Sequence, residues 1–405
     1  MQSTASDAPR SVSLTSLAAA FANVPDPRRA ASIRYPLPAI LAMAVAAILS
    51  NHLSVLAISE WASRQTGTIL TSLGFPTDDT PCQSTLQRLF AKLDGAALSM
   101  VLSAAVVPAA SPETADDAEV TAPLQGVAID GKAQRGRLRF AGGGCPIHAL
   151  SAFCHETGLV LAQEPILAPT GIDRGEAELS VAPTLVDRLD WHGRVLTGDA
   201  LFCQRELCQQ VLDNGGDYLL AGKGNQQTLL TDIALLFDPP PDVPTAPLAD
   251  RRHAETLDYG HGRTLERRRL TASTDLIGYL DWPGHAQVLR VERTWCEHGL
   301  AKHAVGYAIT SLTPARADAA ALLALKRGHW TIENRLHRCK DVNFGEDASL
   351  IHAGQGPQVM TVLRDAAVSV LHTAGVRQMA ARLRHHSQHP EQAVALVLRS
   401  LITHA

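Results

Sequence analysis

The 405-residue chain lacks an excess of charge of either sign: 36 Lys and Arg stand against 40 Asp and Glu, a net charge of −4. A global pull toward polyanions is thereby excluded, and any such site must be a local stripe. An apolar run of the ~20 residues that a bilayer requires is also lacking. The longest, Leu37 to Leu49, falls short of that and carries Pro38 near its start, so it is expected to be a buried helix and no membrane partner is expected. The N-terminus has Arg10 and a Ser/Thr-mixed stretch rather than a basic flank before an apolar core, which argues against a secretory signal and for the cytoplasm. Seven cysteines, odd in number and without a CxxC, argue against a disulfide framework and a zinc ribbon. No internal repeat is visible. What is present is ample core material, 46% hydrophobic against 19% charged, enough for two or three domains.

From Ser13 to about Val107 apolar residues recur at helical spacing, broken at Asp26-Pro27 and Gly74-Phe75-Pro76, which predicts an all-helical unit over 13–107. Residues 108–123 hold three prolines and four acids with no basic residue, the composition of a linker. Short apolar runs bounded by Gly and Pro then read as strands at Leu124 to Ile129, Ala149 to Cys154 and Leu159 to Leu167, with a turn at Ala141 to Gly144. Helix and strand alternate from about Glu176 to Phe237, implying an α/β sheet with covering helices over 124–372. Residues 239–312 turn strand-rich, as a β-rich insertion would. A long helix from Ala317 to about His337 and further helices follow, and 373–405 forms a helical tail.

Asp130 and Asp199 each stand at the end of an apolar strand, after Val127-Ala-Ile129 and Val195-Leu-Thr-Gly198. Carboxyl ends of strands are where sites assemble in such folds, so the two could share a divalent cation; an acid after a strand is also an ordinary turn or cap residue. In Lys326 to Lys340, His329, Glu333 and His337 recur at i, i+4, i+8, on one helix face, with Trp330, Leu336 and Ile332 expected toward the core. Glu333 is a lone carboxylate in a basic stripe, either a metal ligand beside a phosphate track, a salt-bridge partner of Arg335, or the centre of a His-Glu-His metal site. Three acids acquire a common purpose in phosphodiester chemistry, where carboxylates hold two cations that activate the attacking and stabilise the leaving oxygen.

These residues carry a resemblance. Ala128-Ile-Asp-Gly-Lys-Ala-Gln-Arg-Gly136, Leu196-Thr-Gly-Asp-Ala200, Gly216-Asp-Tyr-Leu-Leu-Ala-Gly-Lys-Gly-Asn-Gln226, His329-Trp-Thr-Ile-Glu-Asn-Arg-Leu-His337 and Asp341-Val-Asn-Phe-Gly-Glu-Asp347 resemble the DDE transposases of bacterial insertion sequences, specifically the ISAs-type group with the H-repeat-associated proteins. Asp26-Pro-Arg28, Tyr35-Pro-Leu37 and Glu60-Trp61 resemble the group's associated helical domain. The resemblance implies a ribonuclease-H-like catalytic core in which Asp130, Asp199 and Glu333 hold Mg2+ or Mn2+, cut DNA at element ends and join them to target DNA. It implies double-stranded DNA as partner, both terminal inverted repeats and target, with copies of the chain assembled on it near the nucleoid. In related transposases the third acid lies in a Tyr-Arg-Glu-Lys signature; Lys340 matches its Lys, whereas His329 stands for Arg and Lys326 for Tyr. Asn334 and His337, beside the third acid in this motif, join His329 and Lys340 as expected DNA contacts.

Further contacts are expected at Lys132 and Arg135, directly after the first acid, with Arg137 and Arg139 beyond them. Lys223, Asn225 and Gln226 form a polar loop after a strand that could meet the backbone or a flipped base, or cap a helix. The arginines from Arg251 to Arg269 are either a solvated strand face or a DNA contact, and His385, His386 and His389 read as a surface cluster. The rival functions are an inactive DNA-binding remnant and a structure-selective nuclease on the same fold.

Overall fold

The computed structural model describes residues 11–106, 124–133, 148–166, 174–242, 249–260, 263–297 and 299–404. It is a mixed α/β protein with a helical N-terminal region and a large sheet. Strand β1 (Ser11–Ser16) precedes helices α1 (Leu17–Phe21), α2 (Leu37–Leu49), α3 (Val55–Ser63), α4 (Gly67–Ser72), α5 (Gln83–Phe90) and α6 (Gly95–Val106). Then come β2 (Gln125–Ala133), β3 (His148–Cys154), β4 (Val160–Ile166), α7 (Arg174–Asp187), β5 (Arg194–Gly198), α8 (Arg205–Asp213), β6 (Asp217–Gly222) and α9 (Gln227–Phe237). The segment expected to be strand-rich holds β7 (Arg252–Gly260), β8 (Arg263–Ser273), β9 (Gln287–Glu297) and β10 (Leu300–Thr310). Helix α10 (Ala319–Gly328) and a π-helical turn (Ile332–His337) lead to α11 (Arg338–Val342), α12 (Gly356–Thr373), α13 (Met379–Gln388), α14 (Pro390–Leu398) and β11 (Ser400–His404).

The chain divides into two compact units that do not follow chain order: Met1–Ser111, Gly131–Val181 and Ile332–Ala405 form unit one, Pro112–Asp130 and Ala182–Thr331 unit two. In unit one, α2 is buried on every side. Only Pro38 is not fully enclosed, and it sits in the first turn, where its missing N–H costs no helical hydrogen bond. Helices α1, α3, α12 and α14 pack around α2, so the two ends of the chain share one core. The N-terminal segment is not wholly helical: β1 pairs antiparallel with β11, Ser11 opposite His404, in keeping with the polar-apolar alternation of Ser11-Val-Ser-Leu-Thr15. Strands β3 and β4 form an antiparallel hairpin that turns at Gly158, whose φ of 71° suits glycine. Among the described residues no helix is long and apolar enough to cross a membrane.

In unit two the strands neighbour one another in the order β2-β5-β6-β10-β9-β8-β7. The first three run parallel, and the rest continue the sheet antiparallel from β6 through β10. Val127, Ala128 and Ile129 of β2 and all of β5 are buried, the near-continuous apolar runs of strands covered on both faces. Leu270, Ala272, Leu289 and Ala308 from the later strands close over Leu322, Leu323 and Leu325 of α10 in one core.

Candidate active site

Strands β2 and β5 pair in parallel register from Gln125–Arg194 to Ala128–Thr197. Asp130 and Asp199 each lie two residues beyond that last pair, at matching positions on neighbouring strands of unit two. The two acids, 69 positions apart in sequence, thus follow the end of one parallel ladder. Strand β2 itself runs on to Ala133, so Asp130 marks the end of its ladder with β5 rather than the end of the strand. Asp199 also has the ordinary role open to such an acid: its Oδ1 accepts from Leu201 N–H at 2.8 Å and caps a short 3-10 turn, Ala200–Phe202. The next loop is tied to this one. Asn225 Nδ2 donates to Ala200 O at 2.5 Å, and Gln226 Nε2 to Cys203 O at 3.0 Å, so these two side chains brace the loop that carries Asp199. Lys223 remains exposed. Lys326, on α10, is pushed down to about 8, by burial first and then by the like charge of Lys223, while Asp199 draws it back up.

Glu333 belongs to unit one, on the π-helical turn, exposed while His337 is buried; Glu333 Oε2 lies 3.2 Å from His337 Nδ1. A π turn bonds i to i+5 and breaks the 3.6-residue period, which explains a departure from expectation. Ile332 and Leu336 are buried as expected, but Trp330 is 65% exposed, its ring edge-on to His329 at 6.4 Å. The single long helix expected from Ala317 to His337 is instead α10, a turn and the π segment. Asn334 is exposed.

Two lysines expected at DNA are engaged inside unit one. Lys132 Nζ sits 2.6 Å from Asp341 Oδ1, its side chain mostly covered. Lys340 is buried, 2.8 Å from Asp365 Oδ1 and 3.4 Å from Glu346 Oε1, with Arg364 Nη1 3.6 Å from the same Glu346 oxygen. Burial alone would depress the Lys340 ammonium, but Asp365 and Glu346 outweigh it and hold it above its ordinary value. A phosphate contact by Lys340 is therefore replaced by an interior ion network anchoring α11 to α12. Sequence reasoning passed over this network, although Arg364-Asp365 inside an apolar helix was a signal. It also passed over Glu178, whose buried carboxylate lies 2.9 Å from His148 Nε2. Gly131, next to the first acid, admits that carboxylate: a Cβ there would stand 2.3 Å from Glu178 Oε1. Arg135 and the turn at Ala141 to Gly144 lie outside the described residues. In the insertion, Arg267 and Arg269 pair with Glu255, and Arg268 with Asp258 and Glu266, on strands β7 and β8.

Residues 122–371 match the family described as "Transposase DDE domain" and residues 18–105 the family described as "DDE_Tnp_1-associated". Among curated relatives, "Putative transposase YncI" of Escherichia coli O157:H7 is 26% identical over 89% of this chain and 88% of its own length. "Uncharacterized protein in dhlA 3'region" of Xanthobacter autotrophicus is 31% identical over 67% of this chain and 86% of its own. "H repeat-associated putative transposase YhhI" of Escherichia coli K12 is 28% identical over 60% and 63%.

Proposed function

We propose that this chain, which belongs to the DDE transposases and within them to the H-repeat-associated group, cleaves DNA at the ends of an insertion sequence and joins them to target DNA on a ribonuclease-H-like core. The observation that carries this reading is the matched register of Asp130 and Asp199 beyond the last pair of β2 and β5. Two carboxylates at adjacent strand ends are hard oxygen donors, the chemistry that suits Mg2+ or Mn2+. With Glu333 as the third acid, they would hold the cations, which when bound would supply Lewis acidity to the attacking and leaving oxygens of the phosphodiester.

The chain's own groups then divide the work. Asp130 and Asp199 fix charge at the sheet's carboxyl edge, and the braces from Asn225 and Gln226 keep the Asp199 loop in one position. His337 orients the Glu333 carboxylate, and the Lys340 network holds the segment that carries it. Lys223, Lys326, His329 and Asn334 are assigned to phosphate contact, with Arg135 beside the first acid. Double-stranded DNA and further copies of the chain are the partners this reading requires.

The test is cleavage and strand transfer on the flanking element ends in Mg2+, with Asp130→Asn, Asp199→Asn, Glu333→Gln and His337→Ala. The three carboxamide variants should each lose activity by about 10³-fold, a barrier rise of about 4 kcal/mol, with duplex binding retained. Retained strand transfer in Asp130→Asn would overturn the assignment. His337→Ala as damaging as Glu333→Gln, with Asp130→Asn mild, would move the site to the His-Glu-His helix. Cleavage without strand transfer would assign a structure-selective nuclease.

A further inference from the structure

Net charge leaves this chain no global attraction for DNA, so basic groups without acidic neighbours are informative. In the insertion the arginines are matched by Glu255, Asp258 and Glu266. At the C-terminal end of unit one they are not. An open pocket of about 440 Å3 is lined by Asn334, Arg335, Arg338, Arg377 and Arg384, and no acid lines it among the described residues. It adjoins a second pocket through Arg377 and Gln378, where Arg382 and His385 are added. Arg338, Arg377, Arg382 and Arg384 are exposed and form no ion pair among the described residues. Arg335 is partly committed, donating to His155 O at 2.7 Å.

Arg338, Arg377 and Arg384 around one pocket, with Arg382 in the pocket that adjoins it, repel one another, and although the chain carries 40 acids to 36 basic residues, no carboxylate lines either pocket among the described residues. Guanidinium is the side chain that meets phosphate oxygens bidentately, and polar amides such as Asn334 and Gln378 add neutral donors. The pocket begins at Asn334, the neighbour of Glu333, and runs out along α13. We propose that α13 and the preceding loop form a phosphate-backbone site for duplex DNA, with Arg377, Arg382 and Arg384 as its contacts, which extends the DNA path away from the cleavage position. The site rests on the transposase reading for its ligand and adds Arg377, Arg382 and Arg384, which that reading did not use.

The experiment measures binding of the full chain to a 30-base-pair duplex by fluorescence anisotropy, without divalent metal, between 50 and 200 mM salt, for wild type, for the triple variant Arg377→Gln/Arg382→Gln/Arg384→Gln, and for the corresponding triple Lys variant. Each lost phosphate contact lowers the salt slope by about 0.9, so the Gln variant should lose about 2.7 units of slope. Over this fourfold range wild type should then lose roughly 40-fold more affinity than the Gln variant. The Lys variant, which keeps the charges, should retain the slope. An unchanged slope in a Gln variant with wild-type circular dichroism would overturn this proposal alone. In the same metal-free buffer Asp199→Asn should bind like wild type, and in a parallel reaction with Mg2+ wild type should cleave and Asp199→Asn should not; cleavage by it would overturn the catalytic assignment alone. Retention of polyglutamate by wild type without duplex binding would assign the pocket to an acidic protein and overturn both.

Discussion

Lys340→Met is a demanding perturbation because it removes one charge from a closed account. The buried network holds two cations, Lys340 and Arg364, against two carboxylates, Glu346 and Asp365. Methionine fills the volume of the lysine stem, so packing is nearly conserved and the effect is electrostatic. Breaking a buried pair by removing one partner costs about 3–5 kcal/mol. Gln163 Nε2 donates to Asp365 at 2.5 Å and Thr361 Oγ1 to Glu346 at 3.0 Å, and these bonds survive, which places the expectation near the low end, about 3 kcal/mol. The pH dependence follows from Asp365. Burial, with the like charge of Glu346, already raises its carboxyl above the usual range despite Lys340, and without Lys340 it rises further. A carboxyl whose folded pKa exceeds its unfolded value destabilises increasingly as pH rises past the unfolded value, because the unfolded chain releases the proton first. The variant's deficit should therefore be larger at pH 7.5 than at pH 5. Urea denaturation followed by circular dichroism at both pH values reads this, with Lys340→Arg as the charge-keeping control. A deficit under about 1 kcal/mol at pH 7.5, or a deficit that grows toward pH 5, would refute the reasoning.

Three further outcomes are expected. Gly131→Ala must displace the Glu178 carboxylate that lies 2.3 Å from its new Cβ, and should lower stability by about 1–3 kcal/mol in thermal melts; an unchanged melt would show that the contact yields freely. Lys326 has its folded value pushed down to about 8, below the unfolded value, so wild type gains stability relative to Lys326→Met as pH rises from 8 toward 10; denaturation at pH 7 and 9.5 should show the gap moving in that direction. Cys82, exposed and held down to about 6 by the hydroxyls of Ser84 and Thr85, should be alkylated by iodoacetamide at pH 7 well before buried Cys203, which burial pushes up to about 12; mass spectrometry of the first-labelled peptide checks this.

What could be read from residues alone was what neighbours in sequence encode. The apolar run Leu37 to Leu49 had to be a buried helix, and it is. The short apolar runs before Asp130 and Asp199 had to be covered strands, and β2 and β5 are, because a parallel strand buried on both faces has no polar alternation to hide it. The motifs around the acids carried the family. The tertiary structure alone decided where charges end up. Lys132 looks like a phosphate contact beside the first acid, yet its partner is Asp341, 209 positions away. Lys340 looks like part of an exposed basic stripe, yet it is enclosed with Asp365 and Glu346. Trp330 looks inward on a regular helix and points outward because a π turn follows it. The physical reason is the same in each case: helical period and strand burial are set by residues within a turn or two, whereas the partner of a charge is set by which distant segments the topology makes adjacent.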